Sequence, residues 1–214
     1  MLKGSALEAA YYRFLGKYLV PCCIFLRLKP DHLSLFGVVF GLGAGVCFVF
    51  SPFWGGMLTI IAGLFDTLDG ALARELDQTK SRGAFLDSVL DRYSELFILV
   101  GIWGYFQRLG SATLLINLTI FLILFGGLMV SYTRARAESL NALCQVGLFQ
   151  RAERIISIGL AGMVNSLVNF TARANEEALL GQDAVLVVVL ILLAVGTNLT
   201  ALWRLFHVFN QFRS

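Results

Sequence analysis

Charged residues are scarce in this 214-residue sequence: they make up 14% of it, whereas soluble domains usually carry about a quarter. It has only three prolines and no long proline, serine or glutamine tract, which excludes a disordered or fibrous chain. The four cysteines, Cys22, Cys23, Cys47 and Cys144, lack metal-site spacing, and we expect no disulfide framework among them. What the chain has is apolar side chains, at 57% hydrophobic residues, and this composition indicates a membrane protein.

Six apolar stretches are each close to the roughly 20 residues that a helix needs to cross a bilayer. They predict an all-α integral membrane protein whose six transmembrane helices lie at roughly 33–50, 54–74, 84–106, 112–133, 155–171 and 184–206. Before them, Leu7, Tyr11 and Tyr18 recur at helical spacing, and Ser5 and Glu8 have the spacing of a capping box. We therefore expect an amphipathic juxtamembrane helix within residues 1–30, ended or kinked at Pro21, followed by a transmembrane domain at 31–214.

The lysines and arginines predict the orientation of these spans. Fourteen of the 17 fall at the N-terminus, the C-terminus and the two connections on the same side, whereas only Arg108 and Arg173 fall on the other side and Arg92 lies inside the third span. Because short cytoplasmic segments are enriched in basic residues, both termini are predicted to be cytoplasmic. Gly37, Gly41 and Gly45 repeat every four residues in the first span, which favours close helix packing within the bundle over a dedicated dimer seam.

Five acidic residues lie inside the second and third predicted spans, where a carboxylate costs about 2.5–3.5 kcal/mol on insertion scales. They share helix faces at three- and four-residue steps: Asp66 and Asp69 on one helix, and Asp87, Asp91 and Glu95 on the next. Because the connection is short, we expect antiparallel neighbouring helices and converging carboxylates. On charge alone, three explanations stay open: a site for two divalent ions, a transporter's proton relay, and a buried ion-pair network with Arg74 and Arg92.

The spacing of this region matches the pattern D-x2-D-G-x2-A-R-x8-G-x3-D-x3-D without departure. The eight fixed positions are Asp66, Asp69, Gly70, Ala73, Arg74, Gly83, Asp87 and Asp91. The pattern resembles the signature of the CDP-alcohol phosphotransferase (CDP-alcohol phosphatidyltransferase) family. Members of that family have six membrane helices and a surface helix at the N-terminus, and they usually form homodimers.

The resemblance implies roles for individual residues. Asp66, Asp69, Asp87 and Asp91 would hold two divalent ions, generally Mg²⁺ with Mn²⁺ as an alternative, and Asp91 would also be the catalytic base. The residues implied to bind the CDP-lipid are Ser34, Asp66, Asp69, Gly70, Ala73, Arg74 and Gly83. Ser34 follows Pro30-Asp31-His32-Leu33, which is similar to the family's Pro-Asn-x-Leu-Thr segment with two substitutions.

The implied reaction is a single in-line displacement on a CDP-lipid, usually CDP-diacylglycerol, that releases CMP. Four arginines at 134, 136, 151 and 154 bracket one predicted cytoplasmic turn and suit a phosphorylated acceptor, although positive-inside bias alone also explains them. Both stretches resemble the arginine motifs of bacterial phosphatidylinositol phosphate synthases and related archaeal enzymes, which use inositol phosphate. The implied acceptor-phosphate ligands are Arg134, Arg151 and Arg154, with Lys80 or Arg82 nearby.

Glycerol 3-phosphate, serine and free alcohols stay open as acceptors. A proton-coupled transporter and a noncatalytic scaffold remain alternatives of a different class. We expect a prokaryotic inner membrane protein with its active site facing the cytoplasm, membrane lipid and a second copy of the chain as partners, and no nucleic-acid partner.

Overall fold

The computed structural model describes residues 6–77, 81–144, 146–174 and 182–212. Every regular element within these ranges is helical, as the sequence predicts. The α-helices are α1 (Ala6–Phe14), α2 (Val20–Phe25), α3 (Pro30–Phe50), α4 (Pro52–Glu75), α5 (Ser81–Arg108), α6 (Leu114–Ser139), α7 (Arg151–Ala174) and α8 (Ala184–Gln211).

Five of these helices, α3, α4, α6, α7 and α8, are long and apolar enough to cross a membrane. Each of the six predicted spans coincides with a helix, but α5 differs from the others in composition. It has 28 residues, about 42 Å at a rise of about 1.5 Å per residue, and it carries Asp87, Asp91, Arg92 and Glu95 between its second turn and its middle. Because of these charged residues, α5 is not among the five apolar helices, although it coincides with one of the six predicted spans.

The N-terminal segment forms two short helices joined by a π-helical turn at Leu15–Leu19. Pro21 is predicted to end or kink the helix, yet it lies in the first turn of α2, where a proline's missing N–H is tolerated. The predicted cap at Ser5 lies outside the described residues. Leu15 and Val20 are buried against Leu68 and Leu72, so this segment packs on the end of α4 that carries the acidic motif.

Helix α3 organises the first half of the bundle, because α4 and α5 both pack mainly against it. Its glycines permit this packing: a Cβ on Gly41 would collide with the Ser94 side chain, and one on Gly45 with the Phe97 carbonyl. Gly101 of α5 faces the Gly45 backbone in the same way. The glycine repeat thus packs within the bundle, as the sequence favours. By contrast, α4 and α5 contact each other only sparsely, so these expected antiparallel neighbours pack on α3 much more than on each other.

The second half of the bundle is built on three contacts: α4 with α7, α6 with α8, and α7 with α8. A shared apolar core runs through α3, α5, α6, α7 and α8, with fully buried side chains such as Phe48, Ile98, Ile123 and Ile158. We call the end where α4 ends and α5 begins the motif end, and the end where α8 begins the opposite end.

A buried polar knot closes the opposite end. Asp183 precedes α8 with a positive φ of 63° and is 3% exposed. Its Oδ1 accepts hydrogen bonds from Tyr105 Oη at 2.8 Å, Asn165 Nδ2 at 2.7 Å and Asn169 Nδ2 at 2.8 Å. Asn165 also accepts from the Leu186 N–H at 3.1 Å, so the knot joins α5, α7 and the start of α8.

Candidate active site

Acidic side chains converge at the motif end. Asp66, Asp87 and Asp91 each offer a carboxylate oxygen, and these oxygens lie within 4.8 Å of one another. Asp66 comes from the last turns of α4, and the other two come from the first turns of α5. Although α4 and α5 pack mainly on α3, the two acidic faces still meet, because α3 holds the two helix ends side by side.

Asp69, the fourth motif aspartate, is more deeply placed and is 5% exposed. The Ser34 hydroxyl of α3 donates to its Oδ2 at 2.5 Å, and Asp69 lines the same cavity as Asp87. Ser34, which the resemblance implies to bind the CDP-lipid, thus contacts a motif aspartate.

Arg151, at the first position of α7, bridges two of the aspartates. Its Nη1 pairs with Asp66 Oδ1, and its Nη2 pairs with Asp91 Oδ1 at 2.7 Å. The side chain is largely buried, and its Nε is buried without a hydrogen-bond partner among the described residues. One arginine thus joins α4, α5 and α7 and retains one uncommitted donor.

Arg92 flanks the other side of Asp91. Its Nη2 lies 3.6 Å from Asp91 Oδ2, and its Nη1 donates to the Ser131 hydroxyl of α6. Asp91 therefore has a tight contact on Oδ1 and a looser one on Oδ2, a geometry in which Oδ2 can accept a proton from a nearby hydroxyl. The sequence gives no signal for the pairing with Ser131, because the two residues lie 39 positions apart.

The residues suit a divalent ion by the chemistry of their donors. Two unit charges about 4–5 Å apart repel by roughly 3–4 kcal/mol at an effective dielectric constant of about 20, so three or four carboxylates gathered here need cations to stay ionised. Arg151 and Arg92 supply two positive charges for four aspartates. Carboxylate oxygens are the ligands that Mg²⁺ and Mn²⁺ prefer. The four aspartates line one cavity of about 10 Å³ together with Ser34, Gly37 and Arg151, which is space for about one water-sized sphere.

The other residues implied to bind the CDP-lipid lie near the motif end but are not among those that line this cavity. A Cβ on Gly83 would lie 3.8 Å from Asp31 Oδ1, and one on Gly70 would lie 3.6 Å from Arg74 Nη1. Ala73 is half-buried, whereas Arg74 is exposed at the end of α4. Arg74 thus lies near Tyr12 of α1, and Gly83 lies near Asp31 at the start of α3.

The implied acceptor ligands divide into different environments. Arg134 is exposed at the end of α6 and pairs with Glu138 at 2.8 Å, while Arg82 is exposed at the start of α5. Arg151 lies within the carboxylate cluster. Lys80 lies outside the described residues. Arg154 is fully buried, and Glu95 binds it, so the predicted phosphate contact of Arg154 has no support from its position.

Two aromatic residues that sequence reasoning did not assign also contact the motif. Tyr11 shares a hydrogen bond of 2.7 Å with the Thr67 hydroxyl, and the Tyr12 ring lies 5.5 Å from the Arg74 guanidinium. The sequence signal for Tyr11 is its place on the predicted apolar face of α1, which does not indicate what that face packs against, and Tyr12 has no such signal.

Comparison with known proteins gives the same family as the motif. A family model described as CDP-alcohol phosphatidyltransferase matches residues 27–168. The chain belongs to that family. The match runs from α3 to most of α7 and includes all four motif aspartates and Arg151.

Relatives of the chain within this family are named as synthases of archaetidylinositol phosphate or phosphatidylinositol phosphate. The chain is 39% identical to an archaetidylinositol phosphate synthase of Methanothermobacter thermautotrophicus over 72% of its own length and 75% of that protein. It is 35% identical to a phosphatidylinositol phosphate synthase of Streptomyces avermitilis over 96% of its length and 84% of that protein.

Solved structures agree with the fold. The crystal structure of the phosphatidylinositol phosphate synthase PgsA1 of Mycobacterium tuberculosis with CDP-DAG bound matches with a TM-score of 0.75 at 25% identity, over 92% of this chain and 94% of that one. A second structure of PgsA1, in complex with manganese and citrate, matches with a TM-score of 0.72 at 25% identity, over 89% of this chain and 87% of that one. The family resemblance predicted from the motif is confirmed.

Proposed function

We propose that this chain transfers the phosphatidyl group of CDP-diacylglycerol to a hydroxyl of inositol phosphate and releases CMP. The observation that carries the proposal is the convergence of Asp66, Asp87 and Asp91 within 4.8 Å, with Arg151 between two of them, in a chain of the CDP-alcohol phosphatidyltransferase family. The names of the inositol phosphate synthases it is similar to support this acceptor.

The four aspartates Asp66, Asp69, Asp87 and Asp91 would hold two Mg²⁺ ions, with Mn²⁺ as an alternative. Bound there, such ions stabilise negative charge on a diphosphate and on the departing CMP. Ser34 keeps Asp69 oriented through its hydrogen bond. Arg74, at the exposed end of α4, has the guanidinium that would contact phosphate oxygens of the nucleotide, and the missing or small side chains of Gly70, Ala73 and Gly83 give the nucleotide access to the backbone.

Asp91 would act as the general base. Its Oδ2, in loose contact with Arg92, takes the proton from the acceptor hydroxyl as that oxygen attacks the lipid-linked phosphorus. A new P–O bond forms to the acceptor, and the P–O bond to CMP breaks. Arg151 holds Oδ1 of Asp91 at 2.7 Å and thereby orients the base.

The acceptor phosphate would contact Arg134, Arg151 and Arg82, with Lys80 a further candidate. Arg134 can exchange its exposed partner Glu138 for a phosphate, because an exposed ion pair is screened by solvent and contributes little. We leave Arg154 out of this set because its guanidinium is fully buried on Glu95.

The proposal includes the membrane arrangement. In this arrangement α5 also crosses the membrane, which makes six spans in all. Residues 1–30 lie in the membrane surface, and residues 31–214 form the catalytic domain. Both termini and the motif end face the cytoplasm of a prokaryotic inner membrane. Exposed aromatic side chains on the N-terminal segment, including Phe14, Tyr18 and Phe25, support its contact with lipid. A homodimer is part of the proposal by analogy with the family.

Purified protein in mixed micelles with CDP-diacylglycerol and Mg²⁺ tests the function. We expect CMP release with inositol phosphate, little with glycerol 3-phosphate, serine or free inositol, and none after chelation of the metal. Release with glycerol 3-phosphate in preference to inositol phosphate would overturn the acceptor assignment. If no acceptor gave metal-dependent CMP release, the proposed chemistry would be overturned. The result would then favour the transporter alternative, in which Glu95 joins a proton relay.

A further inference from the structure

A buried ion pair lies one helical turn deeper than the carboxylate cluster. Arg154 of α7 is fully buried and Glu95 of α5 is 3% exposed. The pair is bidentate: Arg154 Nε lies 2.6 Å from Glu95 Oε1, and Nη2 lies 2.7 Å from Oε2. Its Nη1 donates to the Phe149 carbonyl at 3.3 Å, so all three guanidinium nitrogens are engaged.

The Glu95–Arg154 pair is the same kind of contact between α5 and α7 as the Asp91–Arg151 pair of the site. Asp91 and Glu95 are four residues apart on α5, and Arg151 and Arg154 are three apart on α7, so each couple shares a helix face. Arg151 on Asp91 and Arg154 on Glu95 therefore form two successive links between the same two helices. The shallower link carries the candidate base, and the deeper link is sealed from solvent.

The two helices meet through these long side chains more than through their backbones. Among the described helices, α5 packs chiefly on α3, whereas α7 packs on α4 and α8. Space for the deeper link comes from α6: a Cβ on Gly127 would lie 3.0 Å from Glu95 Oε1 and 3.3 Å from Arg154 Nη2. Three helices thus meet around one ion pair.

A buried ion pair is weak evidence for stability, since well-packed apolar residues often replace one at no loss, but it fixes which atoms must face each other. We propose that Glu95 and Arg154 are positioning residues that set the register of α7 against α5 and so hold the Arg151 guanidinium on Asp66 and Asp91. Arg154 does not contact the acceptor. The activity readout of this proposal rests on the proposed function.

The test is a double-mutant cycle between Glu95→Gln and Arg151→Ala, with Mn²⁺ affinity measured by electron paramagnetic resonance and the kinetics of CMP release measured in parallel. Because Glu95 acts through Arg151, Glu95→Gln is expected to change Mn²⁺ affinity several-fold and lower kcat about tenfold in the wild-type background. In the Arg151→Ala background it is expected to change neither by more than about twofold.

Asp183→Asn is the matched control, because it makes the same acid-to-amide change at a buried site that also contacts α7, but at the opposite end. It is expected to leave Mn²⁺ affinity and kcat unchanged. The charge-reversed double variant Glu95→Arg/Arg154→Glu is expected to be more active than either single variant, provided that it folds. The thermal midpoint in detergent measures whether it folds.

Three results would overturn the proposal. Equal effects of Glu95→Gln with and without Arg151 would show that the pair does not act through Arg151. A lower thermal midpoint with unchanged kcat and Mn²⁺ affinity per folded molecule would show a purely structural role. A raised KM for inositol phosphate in Arg154→Lys alone, with Glu95→Gln neutral, would show direct acceptor contact. If the wild type binds Mn²⁺ but releases no CMP, the proposed function fails while the Mn²⁺ arm still decides the positioning role.

Discussion

The two ends of this bundle treat buried carboxylates in opposite ways. At the opposite end, Asp183 is surrounded by three neutral donors, Tyr105, Asn165 and Asn169, each within 2.8 Å of one oxygen. At the motif end, four aspartates crowd together with fewer donors than they could accept and two arginines beside them. A carboxylate satisfied by neutral partners serves the fold, whereas a cluster that stays acidic retains affinity for cations. The difference teaches that burial alone does not mark a functional acid.

The strongest contrast between the ends is expected for Asp91→Asn against Asp183→Asn. The first removes the candidate base and a negative charge and is expected to lower kcat by about 10²–10⁴-fold, the usual range for a general base. The second leaves the motif end intact and is expected to change kcat less than about twofold. CMP release by protein of matched folded fraction measures both. Comparable losses at the two positions would erase the contrast and remove Asp91 from the mechanism.

A divalent ion is expected to stabilise the folded protein by binding at the motif end and not at the opposite end. A ligand at about 100 times its dissociation constant stabilises the folded state by about 2.7 kcal/mol, so saturating Mn²⁺ or Mg²⁺ should raise the thermal midpoint of the wild-type protein. Asp87→Asn is expected to reduce this rise strongly, and Asp183→Asn is expected to keep it. Thermal unfolding in detergent with and without chelator measures the shift. A full shift in Asp87→Asn would place the ion elsewhere.

Removal of the carboxylate at the opposite end is expected to cost stability without cost to chemistry. Asp183→Ala leaves the donors of Asn165 and Asn169 buried without their acceptor, and each unsatisfied group costs about 1–3 kcal/mol. It also puts a residue that disfavours positive φ at 63°. A lower thermal midpoint with unchanged kcat at low temperature is the expected result, and a large loss of kcat per folded molecule would contradict the division between the ends.

Ser34→Ala is expected to have the smallest effect. Asp69 is the motif aspartate that most resembles Asp183, because a neutral hydroxyl donates to it. Loss of one such bond to a charged group is worth about 1.5–3 kcal/mol, which corresponds to roughly a 10- to 150-fold weaker interaction. The neighbouring Pro30 carbonyl also accepts from this hydroxyl, so we expect the lower end of that range, as a raised KM for the CDP-lipid. Kinetics at varied CDP-diacylglycerol measure it. An unchanged KM would separate Ser34 from that substrate.

Much of this protein could be predicted from its sequence, because the signals are local. Apolar run lengths predict every long helix, since a helix in lipid must satisfy its own backbone. The fixed spacing from Asp66 to Asp91 gives the family, because three- and four-residue steps place side chains on one helix face whatever the helix packs against. A local resemblance at the start of α3 also selects Ser34, although it does not predict the contact of Ser34 with Asp69.

Tertiary structure alone decided which long side chains meet. Arg151 and Arg154 look equivalent in the sequence, yet one lies on Asp66 and Asp91 and the other is sealed on Glu95. Asp183 and Asp69 are both buried acids, yet one has a neutral cage and the other has acidic neighbours. Such pairings join residues 18 to 85 positions apart, and a buried charge is stable only beside the partners that packing brings to it. The local sequence therefore determined the helices and the motif, whereas tertiary packing determined the role of each charged side chain.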